Sequence, residues 1–71
     1  MEYRHGDAII FATAGISDGK LYGCARIHKM TGSVAGEEVH SLEVHRDFVD
    51  EHEAIEMARV NAAEWIAENW P

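Results

Sequence analysis

The C-terminal part of the chain carries the feature that most constrains its fold, a single helical segment predicted from about Glu51 to Asn69. Asp50 is a favourable N-cap residue, and Glu53 three residues later completes the pattern of a capping box. Neither Gly nor Pro interrupts the segment. Apolar residues recur on one stripe with helical spacing, namely Ala54, Ile55, Ala58, Ala62, Trp65 and Ile66. The pattern predicts one amphipathic helix that packs through this stripe.

Three segments before the helix have the composition of β-strands, and they are residues 7–14, 20–30 and 38–48. Asp18-Gly19 joins the first two as a hairpin turn, because Gly accepts the positive φ that a tight turn requires. Residues 31–36, with two Gly and small side chains, predict a loop. The expected fold is α+β: a three-stranded antiparallel sheet, a β-β-β meander, followed by the C-terminal helix on one face. Residues 1–71 are expected to form a single domain.

The first predicted strand is apolar on both of its faces. Ile9 and Phe11 point to one side, and Ala8, Ile10 and Ala12 point to the other. A chain of 71 residues is marginal by itself, and self-association is a common remedy at this size. We therefore predict a homodimer, formed by packing of open sheet faces, by edge pairing or by exchange of helices. The alternative is a half-exposed surface with scattered apolar side chains.

Charge is distributed unevenly along a chain whose net charge is −7. Residues 1–36 hold four basic and three acidic side chains, whereas residues 37–71 hold two basic and ten acidic ones. Nucleic-acid binding is not expected, because phosphates require clustered Lys and Arg, and binding to an anionic membrane is disfavoured for the same reason. The sequence shows no bilayer-spanning run and no signal-peptide pattern, and it has one cysteine, Cys24. These features predict a cytoplasmic protein.

Metal-binding and catalytic patterns are weak. Glu43, His45 and Asp47 share one face of the third predicted strand and are candidate metal ligands, although a solvated polar face has the same pattern. Cys24 is the only thiol and shares a strand face with Arg26, but a lone cysteine in a strand is typically a small buried hydrophobe. The sequence has neither a Gly-x-Ser-x-Gly elbow nor a phosphate-binding glycine pattern. We expect no enzymatic activity and no cofactor.

Five apolar residues are candidates for interactions with partners. Met57 and Val60 fall among the helix glutamates, off the apolar stripe, where they form a small docking patch or an ordinary piece of surface. Trp70 either caps the core or joins a partner. Ile9 and Phe11 complete the set, because the second face of their strand lacks a predicted covering element.

The residues from Phe48 to Ile55, followed by a helix with Trp65-Ile66, resemble the ending of small bacterial proteins of β-β-β-α order, to which no defined activity is attached. The same order resembles part of double-stranded-RNA-binding domains, whose final helix begins with lysines. Here residues 50–53 are Asp, Glu, His and Glu, so RNA binding is not implied. A hairpin followed by an Ala-rich acidic helix resembles HicB-type antitoxins, from which the strand 38–48 departs.

The leading hypothesis is a small, non-catalytic cytoplasmic protein that acts by self-association and protein–protein interaction. One alternative is an antitoxin-like or regulatory module that masks a basic partner with its acidic helix, which is electrostatically favourable. Another is a metal- or ligand-responsive protein that uses Glu43, His45 and Asp47.

Overall fold

The computed structural model describes residues 1–70, and it is an α+β protein with an antiparallel sheet followed by one C-terminal helix. The elements are β1 (Glu2–His5), β2 (Ala8–Ser17), β3 (Lys20–Thr31), β4 (Val34–His45) and α1 (Glu51–Asn69). The strands pair in sequence order, β1-β2-β3-β4, each antiparallel to the next. The fold class, the meander and the C-terminal helix are confirmed.

The prediction of three strands was wrong, because the sheet has a fourth strand, β1, at its N-terminal edge. A two-residue turn, Gly6-Asp7, connects β1 to β2. Gly6 has φ 61°, and a Gly with positive φ at the first turn position is typical of a type II′ hairpin. The pairing continues beyond β1, since Met1 and Ala12 exchange backbone hydrogen bonds of 2.5 and 2.7 Å.

The predicted loop at residues 31–36 is a hairpin with irregular pairing. Gly32, with φ 66°, and Ser33 form its turn, so β4 begins at Val34 and ends at His45. Two register shifts follow within the β3–β4 pairing. Between the pairs Ile27↔His40 and Thr31↔Val34, β4 contains two more residues than β3, and two bulges accommodate the difference.

The turn between β2 and β3 is the one that Asp18-Gly19 predicts. Asp18 has φ 52° and Gly19 has φ 75°, and two consecutive positive φ angles define a type I′ turn. Ser17 and Lys20 face each other across it.

The core lies between α1 and the sheet face that carries Ile10 and Ile27, which are directly opposite each other on β2 and β3. The helix buries Ala54, Ala58, Ala62 and Ile66 of the predicted stripe, while Ile55 and Trp65 are half-buried. Its close approach requires a glycine in β3, because a Cβ on Gly23 would lie 2.3 Å from the Ala54 carbonyl oxygen. The predicted cap is present: the Asp50 carboxylate accepts a 2.9 Å bond from the Glu53 N–H.

Candidate interaction surfaces

The sheet face turned away from α1, here called the open face, combines aromatic, basic and acidic side chains. Cross-strand pairing assigns its residues, because directly opposite residues share a face. They include Phe11 and Thr13 of β2, Tyr22, Cys24, Arg26 and His28 of β3, and Ser41, Glu43 and His45 of β4. Phe11, Tyr22, Cys24 and His28 are half-buried, although the helix lies on the other side of the sheet.

Rings on the open face pack on one another across strands. Phe11 and His28 meet edge to face with centroids 5.2 Å apart, and Tyr22 stacks on His45 at 5.1 Å. The Tyr22 ring also lies over Gly15, where an added Cβ would be 2.7 Å from it. Sequence reasoning missed Tyr22, because its contact with His45 follows from the register of β3 and β4 rather than from a local pattern.

Glu38 pairs with two basic side chains at one end of the open face. The Nδ1 of His28 lies 2.9 Å from the Gly36 carbonyl oxygen, to which an Nδ1–H donates. Glu38 Oε1 lies 4.0 Å from His28 Nε2 and 3.8 Å from Arg26 Nε. Such exposed ion pairs contribute little stability, but they place a carboxylate beside both Arg26 and His28.

The two candidate interaction residues of β2 differ in exposure. Ile9 is only 8% exposed, so the chain itself covers this side chain. Its direct cross-strand neighbours are Arg4 and His28. Phe11 is more accessible and lines a depression with Thr13, Cys24, Arg26 and His28.

The candidate metal ligands are only partly brought together. Glu43 Oε1 and His45 Nε2 are 3.0 Å apart on the open face, whereas Asp47 follows the end of β4. Within residues 1–70, no three His, Cys, Asp or Glu side chains are grouped as metal ligands would be. The metal hypothesis therefore depends on a pair of side chains rather than on the predicted three.

The outer side of α1 presents a second surface, here called the helix groove. It is lined by Val49, Asp50, His52, Glu53, Glu56, Met57 and Val60. Met57 and Val60 are half-exposed and Val49 is 83% exposed. The groove therefore presents apolar side chains to solvent, and carboxylates border them. The structure thus brings the two predicted helix residues, Met57 and Val60, together and adds Val49 to them. Val49 directly precedes the N-cap residue, a position where an apolar side chain often packs on the first turns of a helix, and this position could have indicated its place in the groove.

One ion pair on α1 involves the only Lys or Arg of the helix, Arg59. The Glu56 carboxylate accepts bonds from Nε of Arg59, at 3.1 Å, and from Nη2. These bonds lower the pKa of Glu56 and raise that of Arg59. The guanidinium also lies 5.3 Å from the centroid of the Tyr3 ring. Arg59 is thus engaged on the β1 side of the helix, and α1 has no other Lys or Arg to pair with its remaining carboxylates.

The two tryptophans lie at the edge of the core. Trp70 is half-buried against the core cluster, and its backbone N–H bonds to the Ile66 carbonyl oxygen at 2.8 Å. Trp65 stacks on His40 of β4 with centroids 4.3 Å apart and ring planes 5° from parallel. Of the two predicted roles for Trp70, capping the core is the one that these contacts support.

The elements and surfaces together define a class: a four-stranded antiparallel meander with a single C-terminal helix on one face. Comparisons with protein-family models, with curated proteins and with solved structures find no match for this chain. In the part of the chain that the structure describes, no helix combines the length and the apolar character needed to cross a bilayer.

Proposed function

We propose that this protein is a non-catalytic cytoplasmic interaction protein that self-associates. The observation that carries the proposal is the one-sided packing of α1. The helix packs mainly on β2 and β3, and within residues 1–70 no element covers the open face or lies beside the outer edge of β4. The single, half-buried cysteine is consistent with a reducing compartment.

The composition of the core supports self-association. The main core cluster consists of five alanines and three isoleucines, and its only large side chains that are completely buried are Ile10 and Ile27. Burial of a large aliphatic side chain stabilises a fold by about 1.5–3 kcal/mol, and an alanine methyl contributes less. A second copy would add buried area that this small core lacks.

Light scattering and thermal unfolding at two protein concentrations test the proposal. We expect the molar mass to rise from 7.9 kDa towards twice that value, and the melting temperature to rise with it, because association stabilises the native state by mass action. A mass of 7.9 kDa at both concentrations, with superimposable melting curves, would contradict self-association.

A second candidate function, masking of a basic partner, is favoured by the helix groove. Met57 and Val60 lie there with Asp50 and Glu53. In the part of the chain that the structure describes, neither of these two carboxylates forms an ion pair, which suits a partner with apolar anchors flanked by Lys or Arg. A Lys/Leu-rich amphipathic peptide is a suitable probe. We expect wild-type chain to bind it at low salt, Val60→Lys to bind weakly, and Val39→Lys, a control on the sheet, to bind normally. Equal binding by both variants would exclude the groove as the site.

A further inference from the structure

We propose that the outer edge of β4, over residues 40–44, pairs antiparallel with the same edge of a second copy, so that two four-stranded sheets become one of eight strands. This inference depends on the self-association proposed above, and it names the surface that carries it.

The direction of the backbone groups on β4 follows from the hydrogen bonds at the other end of the sheet. Met1 and Ala12 exchange two bonds, so they form a hydrogen-bonded pair between the N-terminal segment and β2. In an antiparallel ladder such pairs alternate with non-hydrogen-bonded ones. Alternate residues of β2, beginning with Ala12, therefore direct their N–H and C=O groups towards β1, and the residues between them face β3. The bond from the Met30 N–H to the Asp7 carbonyl oxygen agrees with this alternation, because Asp7 is one of the residues that it directs towards β3.

The same alternation continues through the regular registers of β3 and β4. Thr13 pairs with Cys24, so Cys24 directs its backbone groups to β2 and Ala25 directs its groups to β4. Ala25 is opposite Leu42, which consequently faces β3. Ser41, Glu43 and His45 are thus the residues whose N–H and C=O groups point outward from the sheet.

The outer edge of β1 and the first half of β4 are both poorly suited to pairing with another chain, whereas the second half of β4 is suited to it. Strand β1 has only four residues, and short edge strands are poor templates for another chain. Two bulges interrupt the first half of β4, but the pairing from His40 to His45 is regular. Strand β4 also contains no Lys or Pro, which commonly protect an edge, and the regular segment from His40 to His45 has one charged side chain, that of Glu43.

Charge disfavours one register of this pairing, and the half-buried Leu42 favours another. If the two-fold axis passes through Leu42, Ser41 lies opposite Glu43 of the second copy, and the two Leu42 side chains meet on the helix side. An axis through Glu43 would place two like charges directly opposite each other, which is destabilising. Leu42 is half-buried and packs against the core cluster, so pairing at this residue would extend the core across the axis.

The helices of two paired copies would not collide. Helix α1 lies over β2 and β3, and neighbouring strands are about 4.8 Å apart, so the two helix axes would be separated by about 19 Å. This distance exceeds the Debye length of about 8 Å at physiological salt, and repulsion between the acidic helices would be largely screened.

Proline substitutions at the two edges provide a matched test. Ser41→Pro removes an outward N–H and leaves the β3–β4 bonds in place, since proline is tolerated on an edge whose N–H faces solvent. Arg4→Pro is the control, because the alternation gives Arg4 an outward N–H on β1. We expect wild-type chain and Arg4→Pro to associate and Ser41→Pro to remain at 7.9 kDa by light scattering.

Cross-linking tests the register and covers the case in which Ser41→Pro does not fold. In a Cys24→Ser background, Leu42→Cys should form an intermolecular disulfide on mild oxidation, because a non-hydrogen-bonded pair places Cα atoms about 4.5 Å apart, within disulfide reach. Glu43→Cys should cross-link poorly. Two results, in a wild-type chain that associates, would refute pairing through the β4 edge and leave self-association in place. One is association of a folded Ser41→Pro chain, and the other is failure of Leu42→Cys to cross-link. A monomeric wild-type chain would refute both proposals.

Discussion

Substitution of Gly23 by alanine should destabilise this protein through the contact between α1 and β3. The added Cβ would lie 2.3 Å from the Ala54 carbonyl oxygen and 3.1 Å from the Ala58 Cβ. Real Cβ contacts are essentially never shorter than 3.0 Å, so the first turn of the helix would have to move by roughly 0.7 Å. Overpacking of this kind costs about 1–3 kcal/mol. At about 2 kcal/mol, the melting temperature of a domain of this size would fall by about 8–16 °C.

Gly15→Ala is the matched control for this prediction, because its new Cβ would meet the Tyr22 ring, at 2.7 Å, rather than backbone. That ring belongs to the open face and can turn aside, so we expect a smaller loss of stability. Thermal unfolding followed by circular dichroism compares the two variants with the wild type, at one protein concentration. A Gly23→Ala chain as stable as the wild type would show that α1 does not depend on this close approach, and the explanation given for Gly23 would be wrong.

Three further predictions concern the cap, the helix ion pair and the metal hypothesis. Asp50→Ala should cost about 1 kcal/mol in chemical denaturation, as loss of an N-cap does, and Asp47→Ala should cost less. Glu56→Gln should lower the melting temperature at neutral pH. Because the folded state lowers the pKa of Glu56, the wild-type chain should be the more stable of the two at any pH above the carboxyl pKa of the unfolded chain. This difference in stability should disappear as the pH falls through the pKa of Glu56 in the folded chain. The metal hypothesis predicts that zinc raises the melting temperature and that His45→Gln removes the rise; equal curves with and without zinc contradict it.

The parts of the fold that the sequence predicts correctly are those with local causes. The helix begins and ends at Glu51 and Asn69 as expected, because an N-cap and an uninterrupted run of helix-forming residues act within a few positions. The Asp18-Gly19 hairpin is likewise predictable from local sequence, because its turn requires positive φ angles at these two residues. Alternation along β2 separates its two faces correctly, since side chains on a strand point alternately to opposite sides.

Strand β1 was missed because its composition does not indicate a strand, although the turn that follows it does. Glu2–His5 contains one apolar residue, Tyr3, so no hydrophobic pattern indicates a strand. The Gly6-Asp7 and Gly32-Ser33 dipeptides are nevertheless typical of type II′ hairpins, and each connects two strands here. Recognition of these turns would have predicted four strands.

The missed strand also affects the candidate interaction surface. Ile9 is an attractive interface residue only if its face of β2 is bare. Because β1 places Arg4 directly opposite Ile9, and His28 lies on the other side, the chain already surrounds this side chain. Strand periodicity identifies the face to which a residue points, but register and neighbouring strands determine whether that face is accessible.

The proposed self-association is connected with stability through the small core residues. Alanines let α1 lie so close to β3 that Gly23 is required, and they leave few large side chains to bury. Ordering the backbone costs about 1–2 kcal/mol per residue whatever side chain it carries, so a core of methyl groups offsets less of that cost than a core of leucines. Pairing at Leu42 would add apolar contact and backbone hydrogen bonds without a longer chain. A weakened β4 edge should therefore lower the concentration dependence of the melting temperature together with the molar mass.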